Sequence, residues 1–133
     1  MAFEIGKAPK SKQEFMNWYY ELTKWEENLD YNNPQNTSYR LQSWFNEMIV
    51  TFPPMNGSLT PTDEMLDNND ELYSHLADYS ISRDAIYVGF SWSLAEEAYD
   101  MVRKLAMKHV VGFFDVSSDN GDIILPDGTV INT

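Results

Sequence analysis

The stretch IYVGFSWSLAEEAYDMVRKLAMKHVVGFFDV, residues 86–116, limits the possible folds of this chain more than any other. Its hydrophobic pattern alternates at first, then repeats at helical spacing, then becomes a continuous β-rich run, which predicts a strand, a helix and a buried strand. Ser93 with Glu96 three residues later is a capping-box pattern, so we expect Ser93 to be the helix N-cap. One face of the first strand is predicted to carry Ile86, Val88, Phe90 and Trp92.

The rest of the chain adds elements on both sides of this unit. MAFEIG predicts a short first strand, and a capping box at Ser11 begins a helix over about 12–28. A second apolar stripe predicts a helix that Pro53 ends. DYSI and, after an Asn120-Gly121 hairpin turn, IILP and TVI predict further strands. The resulting order β-α-α-β-β-α-β-β-β predicts a single α+β domain over 1–133, with a largely antiparallel sheet and about three helices packed on one face.

An apolar fraction of 43% is enough for a hydrophobic core. Nine residues on the predicted stripes are expected to be mostly buried: Trp18, Leu22, Leu41, Trp44, Phe45, Phe90, Val102, Leu105 and Phe113. Trp92 is assigned to the core by the same alternation. Trp25 and Tyr31, near a helix end, are expected to be partly exposed.

The charge is strongly negative and unevenly distributed. The chain has 9 Lys and Arg against 21 Asp and Glu, a formal net charge of −12. Residues 60–84 contribute −6 and residues 113–133 contribute −4. Such a surface repels nucleic acid and anionic membranes, whose recognition requires Lys and Arg, and attracts a basic protein.

The sequence TPTDEMLDNNDEL, residues 60–72, has five carboxylates and no Lys or Arg. They are Asp63, Glu64, Asp67, Asp70 and Glu71. We predict residues 53–75 to be mostly loop, with one helical turn around 63–67. The cluster could serve a metal, a catalytic pair, a basic partner or solubility alone.

Most chemical sites are absent from the sequence. There is no cysteine, and the segments beginning at Asp67 and Asp115 fail the EF-hand pattern of a glycine at position 6 and a glutamate at 12. His75 and His109 have no metal-ligand spacing, and GFSWS lacks the final glycine of G-x-S-x-G. We therefore predict no metal, no cofactor and no catalysis. A spatial carboxylate pair, as in glycosidases, stays an open alternative.

Residues 86–118, together with FEIG and FPPMNG, resemble small bacterial immunity and immunity-like proteins of polymorphic toxin systems. The resemblance implies a non-catalytic protein that binds and neutralises a cognate toxin, and the charge adds that this toxin is basic. Because residues 1–12 have no apolar stretch of signal-peptide length, we expect a cytoplasmic location. The predicted toxin-binding residues are Asp63, Glu64, Asp67, Asp70, Glu71, Tyr73 and Tyr79. A rival acidic face is the C-terminal hairpin with Asp115, Asp119, Asp122 and Asp127. A housekeeping acidic interaction domain is the alternative function.

Overall fold

The computed structural model of the chain describes residues 1–118 and 121–132. The strands are β1 (Ala2–Phe3), β2 (Asp78–Ile81), β3 (Ala85–Gly89), β4 (Gly112–Phe114), β5 (Ile123–Ile124) and β6 (Val130–Ile131). The α-helices are α1 (Lys12–Leu22), α2 (Tyr39–Thr51), α3 (Asp63–Asp67), α4 (Asp70–Ser74) and α5 (Ala95–Lys108). Short 3-10 turns lie at Pro34–Asn36 and Trp92–Leu94.

The six strands form one sheet in the order β2-β3-β1-β4-β5-β6. Every neighbouring pair is antiparallel, which confirms the predicted α+β class with an antiparallel sheet. The strand β1, which has only two residues, lies between the longer strands β3 and β4. Ala2 of β1 lies opposite Ile86 on one side and Phe113 on the other, so β3 and β4 are held together by a strand of two residues.

The sheet has a hydrophobic core on each face. Consecutive strand residues point to opposite faces, and Phe113 belongs to one core while Phe114 belongs to the other. The first core contains the apolar stripes of α2 and α5. The second contains Phe15 of α1 against Phe3 and Phe114. The helices therefore do not all pack on one face: α1 covers the face opposite α2 and α5.

Helix boundaries follow local capping. Ser38 accepts a hydrogen bond from the Leu41 amide at the start of α2. The first helix ends at Leu22 rather than near residue 28, because Thr23 is the C-cap and Trp25 has a φ of 53°, which a right-handed helix does not contain. Within the described residues, no helix combines the length and apolar character needed to span a membrane.

The prediction of Ser93 as N-cap was wrong. Residues Trp92–Leu94 form a 3-10 turn, and α5 begins one residue later with Leu94 at the N-cap position and no side-chain cap. Glu96 and Glu97 still occupy the first turn, where the helix dipole favours negative charge.

The observed burial agrees with the predicted apolar stripes better for the helices than for the end of β3. Six of the nine predicted core residues are buried: Leu41, Trp44, Phe45, Val102, Leu105 and Phe113. Trp18, Leu22 and Phe90 are half-buried, as are Trp25 and Tyr31, for which partial exposure was expected. The assignment of Trp92 to the core was wrong, since 91% of its surface is exposed.

Candidate functional site

The acidic segment is defined here as residues 60–74, and within the predicted loop over 53–75 it contains two short helices, α3 and α4. Thr62 Oγ1 accepts a hydrogen bond from the Met65 amide at 3.2 Å and so caps α3. Asn69 Oδ1 accepts one from the Leu72 amide at 3.0 Å and so caps α4. The predicted helical turn at 63–67 is therefore confirmed as α3, and the sequence reading missed α4.

Helix geometry accounts for most of the negative charge in this segment. Asp63 and Glu64 lie in the first turn of α3, and Asp70 and Glu71 lie in the first turn of α4. Carboxylates are favoured there by the helix dipole. Asp67 is the last residue of α3, where the dipole disfavours a negative charge. Of the five carboxylates, Asp67 is the one whose position the dipole opposes.

All five carboxylates are exposed, and none forms an ion pair with another described residue. The same part of the chain also exposes large apolar side chains. Within the segment these are Met65 and Tyr73, the latter 66% exposed at the end of α4, and Met55 and Leu59 are exposed just before the segment. Aromatic residues and Met are enriched in protein–protein interfaces, where a few buried anchors supply most of the binding energy. The acidic segment therefore combines charge with candidate anchors.

Tyr79 does not belong to this surface, and its prediction as a toxin-binding residue was wrong. It is 4% exposed, and its ring lies 5.0 Å from that of Phe45. Its hydroxyl donates a 2.8 Å hydrogen bond to the Phe52 carbonyl oxygen. Burial raises the pKa of Tyr79 well above its ordinary value. The alternation of β2 directs this side chain into the core.

Trp92 is held near the end of the acidic segment, although it belongs to the 3-10 turn before α5. The Ser91 hydroxyl donates a 3.1 Å hydrogen bond to the Ser74 carbonyl oxygen, which ties the end of α4 to the 3-10 turn that carries Trp92. His75 Nε2 lies 3.7 Å from a Glu97 carboxylate oxygen in the first turn of α5. Sequence reasoning missed Trp92 because its strand ends at Gly89, so the alternation no longer determines where residue 92 points.

A groove of about 820 Å³ opens next to Trp92. It lies between the end of β3, the first half of α5 and the segment after β4. Its aromatic lining residues are Tyr87, Phe90, Trp92, Tyr99, Phe113 and Phe114. Glu96, Asp100 and Asp115 contribute carboxylates, and none of the described residues that line the groove is Lys, Arg or His. The groove is therefore apolar inside and negatively charged.

The C-terminal hairpin acids are not gathered in one place. Asp115 lines the groove, whereas Asp127 lies in the turn before β6, where hydrogen bonds from Thr129 lower its pKa. Asp122 is half-buried and its carbonyl oxygen accepts a hydrogen bond from the Asp115 amide. Asp119 lies outside the described residues, as does Asn120 of the predicted hairpin turn. Asp115 is thus the hairpin acid that the described structure connects to the groove.

The two histidines have structural partners. His109 Nε2 lies 2.9 Å from Glu47 Oε1 and so links α5 to α2, and His75 Nδ1 lies 2.8 Å from the Glu71 carbonyl oxygen. In the described parts of the chain, no three His, Asp or Glu side chains are grouped so that they could hold a metal ion. Comparisons with protein families, curated proteins and solved structures found no match to this chain.

Proposed function

We propose that this chain is an immunity protein of the antitoxin type, which binds a basic toxin domain in the bacterial cytoplasm and blocks it. One observation carries the proposal. The acidic segment and the adjoining turn expose uncompensated carboxylates together with Tyr73 and Trp92, the latter 91% exposed. Large exposed aromatic side chains at the edge of a charged surface are typical of protein-binding sites.

The charge and the aromatic side chains have different roles in this proposal. The carboxylates speed the encounter with a basic protein, an effect that falls as salt rises. The aromatic side chains lose their contact with water in the complex and slow its dissociation. A surface that served only solubility would need the carboxylates but not the exposed aromatic side chains. The exposed Tyr73 and Trp92 favour a binding module over a housekeeping domain with an acidic surface.

The test expresses the protein domains encoded beside the gene for this chain, each with and without the chain in the same cells, and continues with a domain that is toxic alone. Asp67→Lys combined with Asp70→Lys should lower the association rate and weaken protection. The matched control is Glu14→Lys combined with Glu26→Lys, two exposed acids in or just after α1. Both pairs change the net charge equally, so a difference between them reports the location of the interface.

The proposal fails if no neighbouring gene encodes a domain that this chain renders harmless. Its location on the acidic segment fails if both charge-reversed pairs behave alike in protection and in the salt dependence of association. Circular dichroism of all variants should show an unchanged fold, because exposed charges contribute little to stability. The five-residue reversal of Asp63, Glu64, Asp67, Asp70 and Glu71 to Lys should abolish protection altogether.

A further inference from the structure

Two strongly exposed apolar side chains lie on the outward side of α2. The highest exposures among the described large apolar side chains are 91% for Trp92, 87% for Tyr39 and 83% for Val50. Trp92 belongs to the surface of the proposed function, whereas Tyr39 and Val50 lie on α2. Val50 follows Tyr39 by about three helical turns, so both side chains project from the same side of the helix about 16 Å apart. The proposed function gives this side of α2 no role.

Two smaller residues, Ser43 and Asn46, are exposed between them. The four positions are spaced by four, three and four residues, which is the spacing of a coiled-coil seam. At about 100° per residue they lie within about 60° of one another around the helix axis. The opposite side of α2 is buried and carries Leu41, Trp44, Phe45 and Met48. Tyr39, Ser43, Asn46 and Val50 therefore form a second, outward stripe, called here the outer seam.

The charge of α2 differs from that of the rest of the chain. Its two charged residues are Arg40 and Glu47, which cancel, whereas the whole chain has a net charge of −12. Both lie beside the outer seam on the same side of it, because seven residues are close to two full turns. Glu47 is already held by Lys108 at 2.6 Å and by His109 at 2.9 Å. The helix therefore adds nothing to the repulsion between two copies of the chain.

The outer seam is complementary to itself in the antiparallel orientation. With a two-fold axis between residues 44 and 45, Tyr39 of one copy faces Val50 of the other, and Ser43 faces Asn46. Arg40 then lies next to Glu47 of the other copy, as flanking charges do in coiled coils. The two-fold axis makes each of these contacts occur twice. A parallel arrangement would bring neither charge next to its opposite, so the charges select the antiparallel one.

We propose that the outer seam of α2 is a self-association surface, on which two copies of this chain pack their α2 helices antiparallel across a two-fold axis. The inference is independent of the proposed function. A helix of 13 residues is about 20 Å long, too short to bury the roughly 800 Å² per partner of a stable complex. The dimer is therefore transient, with a Kd on the order of 0.1–1 mM.

Sedimentation equilibrium of the unmodified chain at concentrations up to about 1 mM tests whether the dimer forms. Raising the salt concentration from about 0.03 M to about 0.3 M should lower its Kd at least about twofold, because salt screens the repulsion between two copies of charge −12. A chain that stays monomeric at every concentration overturns the proposal. A dimer that weakens as salt rises would be held by opposite charges, such as the acidic segment on a basic surface, and contradicts it as well.

The location is tested by the same substitution on two sides of the sheet. Tyr39→Lys removes an end of the outer seam, and the matched control is Tyr20→Lys on α1, which covers the opposite face of the sheet. Tyr20 is 59% exposed, and both variants change the net charge equally. Tyr39→Lys should raise the Kd about tenfold or more, because an exposed aromatic anchor is lost. Tyr20→Lys should leave it within about twofold. Equal Kd values for the two variants would refute the outer seam.

The orientation is tested by mixing two charge variants. Arg40→Glu and Glu47→Arg should each weaken self-association, because like charges then face each other across the axis. In a mixture of the two variants, both pairs between copies are opposite in charge, so a heterodimer should form. A mixture no more dimeric than its components contradicts the antiparallel pairing. Glu47→Arg also gives up the contacts with Lys108 and His109, so circular dichroism checks its fold. If that variant unfolds, the comparison of Tyr39→Lys with Tyr20→Lys still decides whether the outer seam associates.

Discussion

The Phe3 ring lies directly over Gly112 on the neighbouring strand, so closely that a Cβ atom on Gly112 would overlap the ring. Phe3 is 1% exposed and its ring is held edge-on by Phe15, with 4.9 Å between ring centroids. The ring therefore has no free space into which it could move. The position requires glycine for close packing of two central strands rather than for its backbone freedom.

Gly112→Ala should lower the free energy of unfolding by about 1–3 kcal/mol, the usual cost of overfilling a packed core. Gly89→Ala is the matched control, because a Cβ on Gly89 meets no atom within 4 Å. It should leave stability unchanged or raise it slightly. Urea unfolding followed by tryptophan fluorescence measures both. Equal stability of the two variants would contradict the close contact with Phe3.

The end of α5 contains a second backbone constraint. Val110 has a φ of 58°, and the Val111 amide donates to the Ala106 carbonyl oxygen at 3.0 Å, the hydrogen bond of a Schellman motif. A left-handed conformation costs an L-residue about 1–2 kcal/mol. Val110→Gly should therefore raise the free energy of unfolding by about 1 kcal/mol.

The control for this gain is Val50→Gly, which makes the same chemical change at an 83% exposed position inside α2. It should lower stability by about 0.5 kcal/mol, because glycine is a poorer helix former than valine. Opposite signs for the two variants would locate the strain at Val110. A loss of stability in both would mean that the left-handed turn costs valine little.

These positions show which parts of the fold can be predicted from sequence. Ser38 and the stripe through Leu41 and Trp44 predict α2, since capping and helical periodicity are local signals. The pairing of β1 between β3 and β4 is not local. Nothing around Phe3 indicates that its ring covers a glycine more than a hundred residues later, and the same pairing determines that α1 covers the opposite face.

The candidate site is predictable only in part for the same reason. The five carboxylates and Tyr73 are exposed because they lie on short helices with local caps. Tyr79 and Trp92 were assigned to the wrong environments. Tyr79 is buried because it lies on the side of β2 that faces the core. Trp92 is exposed because β3 ends at Gly89, so the alternation of the strand does not extend to residue 92. Both depend on where strands pair and stop.

Tyr79→Phe tests the corrected role of Tyr79. The substitution leaves the buried Phe52 carbonyl oxygen without the hydroxyl that donates to it, which should cost about 1–3 kcal/mol of stability. Tyr73→Phe, at a 66% exposed position, should change stability by less than about 0.5 kcal/mol. Chemical unfolding measures both. Similar stabilities would mean that the Phe52 carbonyl oxygen finds another donor in the variant, or that this hydrogen bond contributes little.

The amino group of Met1 should make stability depend on pH. Burial lowers its pKa from 8.0 to about 5, partly offset by the nearby Asp115 carboxylate. Between these values the unfolded chain binds more protons than the folded one, so stability rises with pH. A chain with a free amine at Met1 should lose about 3 kcal/mol from pH 8 to pH 5, with little further loss from this group below pH 5.

The same chain acetylated at Met1 is the control, because it has no amine to titrate. Both forms keep His75 and His109, so the difference between their stability curves isolates the amine. Thermal unfolding at closely spaced pH values gives the two curves. Parallel curves between pH 5 and pH 8 would show that the amine is not buried in the folded protein.

A comparison of Asp67 with Asp63 distinguishes a carboxylate that serves binding from one that stabilises a helix. It ends α3, whereas Asp63 begins it, so the helix dipole disfavours the first charge and favours the second. Asp67→Asn should therefore leave the melting temperature unchanged or slightly higher, and Asp63→Asn should lower it. Each variant removes one negative charge from the acidic segment and should slow association with a basic toxin about twofold to fivefold at low salt. Stopped-flow association at two salt concentrations, together with thermal unfolding, measures both effects. If Asp67→Asn destabilises the protein and leaves association unchanged, Asp67 serves the fold, and the acidic segment loses the carboxylate that most favours a binding role.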